Sequence, residues 1–184
     1  MKNKTKASGK KRKEAIYKEK EILGYANHAN RPDLGGEHPK GDLVQFIFMG
    51  LFFVIWGLDS FVFQLGPDLH TYVPLWIRMP LGSLLLLSSL YLATITLKIV
   101  FGKVRDPPVV IKEGPYNRSR HPMYFSTIVL YISFWIFTLS LLSLAMILPI
   151  FIFFFFLAVD EERRLLDKFG EKYRQYQEET RMWI

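Results

Sequence analysis

Charge and hydrophobicity are segregated along this chain rather than mixed. Leu43 to Leu65 contains a single charged residue, Asp59, and Met79 to Leu97 contains none. Met123 to Val159 is likewise free of charge. About 20 apolar residues carry a helix across the hydrocarbon core of a bilayer, so these runs predict transmembrane helices. The first covers 43–65 and the second 75–101, joined by the short turn GPDLHTYVP. The third run is too long for one span: its 37 residues would extend roughly 55 Å as one helix, against a core of about 30 Å. Two spans, 122–140 and 141–159, fit instead as a hairpin. Its turn falls in TLSLLS (138–143), and Pro149 is expected to kink the second arm. An amphipathic helix follows over 160–180. There Leu165, Leu166, Phe169, Tyr173 and Tyr176 make one apolar stripe, interrupted by Gly170. The fold class is therefore all-α and integral to a membrane, with four transmembrane helices, a C-terminal hairpin and a cytoplasmic amphipathic helix.

Charge orients this arrangement. The chain carries 24 Lys and Arg against 17 Asp and Glu. The basic residues collect in three places: residues 1–42, the 102–121 connection and the tail after Val159. Neither the 66–74 turn nor the hairpin tip has any. Four spans put all three basic regions on one side, and the positive-inside rule makes that side cytoplasmic, with both termini there. Two segments result, a basic and partly disordered tail (1–42) and a membrane domain (43–184). The tail reads as a solvated segment or as a polybasic stretch drawn to anionic headgroups. Because the cations follow a membrane edge, nucleic acid is not an expected partner. With no cysteine in the chain, disulfides, thiol nucleophiles and zinc–thiolate sites are excluded. The four histidines lack metal-ligand spacing, so no metal site is expected. Asp59 and Arg78, near the outer ends of adjacent spans, read as a structural pair, as residues reaching for the far interface, or as an intramembrane functional group.

Two polar clusters lie at the basic edge. One is Tyr116, Arg120, His121 and Tyr124, within GPYNRSRHPMYFS. The other is Glu161 with Glu162, just after the last span. If the hairpin arms cross and return, His121 and Glu161 meet at one face. The cluster is then either a set of interfacial anchors, since Arg, His and Tyr favour the headgroup zone, or a ligand site.

EGPYNRSRHPMY, then an apolar hairpin, then EERRLLDKFGEKYRQY, resembles the isoprenylcysteine carboxyl methyltransferase and phospholipid methyltransferase superfamily. The family pattern is RHPxY, a hydrophobic interval, and a Glu-Glu pair leading to LxxxFGxxYxxY. The match covers about residues 105–183. The resemblance implies an S-adenosylmethionine-dependent methyltransferase acting on a lipid-like or prenylated acceptor that arrives from the bilayer. By position, it implies that Pro108, Val109, Val110, Ile111, Tyr116, His121, Pro122, Met123, Tyr124 and Glu161 line the cofactor pocket. Arg120 and Glu162 are the candidates for a catalytic role. Carboxyl methyltransferases of this family carry an arginine four residues before the cofactor-binding glutamate, where this chain has Leu157. The reading is an isoprenylcysteine carboxyl methyltransferase-like enzyme, with a phospholipid or other amine N-methyltransferase as the alternative, and the acceptor atom stays open between carboxylate oxygen, amine nitrogen and thiol sulfur. An NADPH-dependent enzyme like the sterol reductases and a non-enzymatic membrane adaptor are the other readings.

Overall fold

The computed structural model describes residues 41–65, 71–103 and 105–183. The expected basic tail lies outside them but for Gly41 and Asp42. Five α-helices follow in order: α1 (Gly41–Leu58), α2 (Leu75–Phe101), α3 (Pro122–Thr138), α4 (Leu141–Phe169) and α5 (Glu171–Glu179). No strand occurs among the described residues. Three helical stretches are long and apolar enough to cross a membrane: Gly41–Phe63, Leu75–Phe101 and Leu141–Phe169. The first is α1 extended by a π-helical turn, Asp59–Phe63. With 17 residues, α3 reaches about 25 Å, at the short end of the range for a span.

Its shortness is compatible with its place, because α3 lies along α2 and also contacts α1 and α4. The α2–α3 seam is built from small side chains, as close helix packing in lipid requires. Gly82, Ser89 and Thr96 recur at seven-residue intervals on the buried face of α2, opposite Ser126 and Ser133 of α3. A Cβ placed on Gly82 would lie 2.5 Å from the Phe137 ring, so only glycine admits this approach. Ser89 Oγ donates to the Ser126 carbonyl across the seam at 2.8 Å. On the other side of α3, Phe52, Ile128, Tyr131, Ile150, Phe154 and Leu157 form the core shared by α1, α3 and α4.

The hairpin turn is as tight as the length argument requires. Leu139 takes a left-handed conformation and Ser140 caps α4, its hydroxyl accepting from the Ser143 amide at 3.1 Å. Residues 160–169, expected to begin a separate cytoplasmic helix, instead continue α4 without a break. The run DEERRLLDKF is made largely of good helix formers, and Arg164 pairs with Asp160 one turn back at 2.9 Å. The break comes at Gly170, whose φ of +56° favours glycine.

Asp59 and Arg78 are not paired with each other. Asp59, 3% exposed, accepts from the Ser140 hydroxyl and from the amides of Leu65 and Leu142 at 2.9 and 3.3 Å. Arg78 donates to the Phe137 carbonyl at 3.0 Å. A buried carboxylate is satisfied as well by several short-range donors as by one distant cation.

Candidate active site

At the opposite end of the hairpin from Asp59, the start of α3 meets the last turns of α4. Pro122 occupies the first turn of α3, where its missing amide donor costs nothing, and His121 is the residue before it. The chain therefore enters α3 with Arg120 and His121 fixed against the facing helix. A short 3-10 turn, Gly114–Asn117, precedes them.

Glu162 is the hub. One of its oxygens, Oε1, lies 3.0 Å from His121 Nε2 and 2.9 Å from Arg120 Nε. The other accepts from Gln177 Nε2 at 2.6 Å. The Arg120 approach is close in distance but off the N–H axis, since Nε makes no hydrogen bond, so the contact is an ion pair. Arg120 also donates through Nη1 to the Gln177 carbonyl at 3.0 Å. Side-chain exposures of 13%, 4% and 10% for Arg120, His121 and Glu162 place the three charged groups well out of water.

Glu161 is held differently. Its Oε2 accepts from the Tyr124 hydroxyl at 2.8 Å and lies 3.5 Å from His121 Nδ1. Its Oε1 has no hydrogen bond among the described residues, and the side chain is 23% exposed. Of the two adjacent carboxylates, one is saturated by protein and the other has one oxygen with no hydrogen bond to the described residues. The Tyr124 ring stacks on His121, with centroids 5.5 Å apart and planes 5° from parallel.

Both imidazole nitrogens of His121 thus face carboxylates, which favours the doubly protonated ring. Burial works against the charge, but the hydrogen bonds and negative charges of Glu161 and Glu162 outweigh it and raise the pKa above its usual 6.5. A raised folded-state pKa contributes stability that is fully present below the unfolded value and is lost as pH rises through the folded one. The thermal midpoint of the detergent-solubilised protein should therefore fall as pH is raised above neutrality, and His121→Gln should flatten that slope. An unchanged slope in the variant would show that another group titrates. Nearby, burial above all, and then the charges of Glu162 and Glu161, push the Tyr173 hydroxyl above the usual phenol range. Burial does the same for Tyr176, against the opposing charge of Arg120. Both phenols stay neutral.

The remaining expected residues divide between two places. Pro122 and Met123 belong to the α3 start beside His121, and the Tyr116 carbonyl accepts from the Tyr176 hydroxyl at 2.6 Å. Pro108, Val109 and Val110 line a cleft of about 590 Å³ together with Lys112, Lys168, Phe169, Lys172 and Gln175. Ile111 is half-buried next to them. His121, Tyr124 and Glu161 are not in that lining. Lys168 follows Glu161 on the same helix by seven residues, so the cleft opens about 10 Å farther from the hydrocarbon than the acid pair.

Three contributors carried no signal in the sequence. Gln177 satisfies Glu162. The segment 180–183 runs back along the loop: Ser119 and Arg181 form a parallel bridge, the Arg120 amide donates to the Arg181 carbonyl at 2.9 Å, and Ser119 Oγ donates to the Met182 carbonyl at 3.1 Å. Trp183 then packs against His121, with centroids 6.1 Å apart. Backbone pairing of this kind is independent of side-chain type.

Searches of curated proteins and of solved structures return no match. The family model for phospholipid methyltransferases matches residues 75–172, more than half of the chain, from the start of α2 into α5. That interval contains the RHPxY corner, the hairpin and the acid pair whose contacts are described above. The chain therefore belongs to the phospholipid methyltransferase family, within the isoprenylcysteine and phospholipid methyltransferase superfamily.

Proposed function

We propose that this protein transfers a methyl group from S-adenosylmethionine to the headgroup of a lipid acceptor, at the cytoplasmic face of a membrane. The observation that carries the reading is Glu161, a half-shielded carboxylate with one open oxygen in a cluster of Arg, His and Tyr side chains. The donor set fits the cofactor. An open carboxylate oxygen suits an amino group or ribose hydroxyls, the cations of the cleft suit a carboxylate, and aromatic faces suit a sulfonium. When bound, S-adenosylmethionine supplies an electrophilic methyl group.

In this reading Glu161 binds the cofactor, with Pro108 to Ile111, Tyr116 and His121 to Tyr124 around it. Arg120 and Glu162 hold the corner and the helix in register and act as positioning residues. A closed, oriented pocket suits this transfer, since in-line approach matters more than a covalent nucleophile. The two termini lie on the cytoplasmic side by the charge distribution, with residues 1–42 as a basic tail before the membrane domain.

An amine headgroup is the acceptor class that the structure favours. Leu157, at the position where carboxyl methyltransferases of the superfamily carry an arginine, is 8% exposed and part of the apolar core. An anionic acceptor would find no cation there.

Calorimetry of the solubilised protein with S-adenosylhomocysteine should show saturable binding, and Glu161→Ala should weaken it at least about 30-fold, as loss of a charge-assisted hydrogen bond implies. Unchanged affinity in that variant would remove Glu161 from the site. Preference for NADPH over S-adenosylhomocysteine would overturn the reading altogether.

A further inference from the structure

We infer that Trp183, four residues beyond the end of α5, is the wall of the site that faces the lipid acceptor and sets its fit. The inference rests on the methyl-transfer reading above.

The indole occupies an unusual place. It packs on His121 at 6.1 Å and on Phe151 at 5.8 Å. Phe151 precedes Glu161 on α4 by ten residues, about 15 Å of helix, which puts it within the apolar span, and it is 40% exposed. One ring therefore touches both a side chain at the depth of the acyl chains and the imidazole of the polar cluster. Trp183 also adjoins the core of α1, α3 and α4, so it stands where a lipid moving in from the bilayer would meet the site.

The ring is held there firmly. The bridge from Ser119 to Arg181 and the bond from Ser119 Oγ to the Met182 carbonyl fix the backbone just before it. Ser119 is fully buried and Thr180 is 7% exposed. The indole N–H makes no hydrogen bond among the described residues, although tryptophan usually pairs this donor when buried. Trp183 is only half-buried, and its N–H is left for a headgroup oxygen. The simple alternative is an interfacial anchor, a common use of tryptophan. An anchor predicts no selective effect on the acceptor.

The test compares full-length wild type, Trp183→Ala and Trp183→Phe in phosphatidylcholine vesicles containing phosphatidylethanolamine. Affinity for S-adenosylhomocysteine should stay within about twofold in both variants. The KM for phosphatidylethanolamine should rise about tenfold in Trp183→Ala, with a smaller rise in Trp183→Phe, as expected for lost acceptor binding. Independently of turnover, lipids brominated near the headgroup end of the acyl chains should quench a fluorescence component that Trp183→Phe lacks. The inference is overturned if Trp183→Ala loses donor affinity in step with turnover, or if quenching is the same in wild type and Trp183→Phe. Failure of wild type to bind S-adenosylhomocysteine would instead strike the proposed function, and the quenching arm would still report whether the indole faces lipid.

Discussion

Glu162→Ala should cost about 3–5 kcal/mol of stability, the range for removing one partner of a buried ion pair. The substitution leaves two cationic side chains, Arg120 and His121, in surroundings where they are 13% and 4% exposed. It also removes the acceptor of Gln177. The neighbouring substitution should behave differently. Glu161→Ala deprives the Tyr124 hydroxyl of its acceptor, at a cost of about 1–2 kcal/mol, because Glu161 is more exposed and shares His121 with Glu162. Two adjacent carboxylates should thus separate into a structural role and, on the proposed function, a ligand role. Thermal unfolding in detergent read beside S-adenosylhomocysteine isotherms distinguishes them. Equal loss of stability in the two variants would refute the division.

Asp59→Ala is the second large effect, about 3 kcal/mol, at the other end of the hairpin. The carboxylate gathers the Ser140 hydroxyl and the amides of Leu65 and Leu142. It thereby ties the end of α1 to the turn between α3 and α4. Removing it strands donors where water is scarce, and each buried unsatisfied group costs about 1–3 kcal/mol. Two further links at this end, from Trp56 Nε1 and Ser60 Oγ to Thr138 Oγ1 at 3.0 and 2.8 Å, keep the loss from being larger. Ser140 and Glu161 are 21 residues apart on one helix, about 30 Å. Donor affinity of the folded fraction should therefore be unchanged while the unfolding midpoint falls. Weakened S-adenosylhomocysteine binding in Asp59→Ala would mean that the two ends of the hairpin communicate.

Much of this architecture was legible because lipid imposes a length rule on sequence. Leu43–Leu65, with Asp59 alone charged, and the charge-free Met123–Val159 reveal spans, and the second is too long to be one. Once folded back, the arms bring His121 to Glu161 with no further information. What was hidden depends on partners rather than on runs. Asp59 and Arg78 invite pairing because their charges are opposite, yet each finds donors or acceptors nearer by. The helical continuation from Val159 to Phe169 was obscured by the change from apolar to charged residues, which marks a membrane boundary but not a helix end. Gln177 and Trp183 sit in a polar tail of ordinary composition. Gln177 reaches the site from α5 by its own side chain, and Trp183 through backbone pairing at Ser119 and Arg181, which leaves no mark on spacing.

The unbroken course of α4 has a mechanical consequence. Pro149 lies inside α4, but from Ile150 to Phe169 there is neither proline nor glycine, so the acid pair rides on the same stiff rod that crosses the half of the acyl layer on its own side. The partners of that pair, Arg120 and His121, belong to the corner before a different helix. When bilayer thickness changes, long spans adjust their tilt. Beyond Pro149 no hinge stands between the tilting section and the carboxylates, so that part of the rod conveys its tilt to the corner like the arm of a gauge.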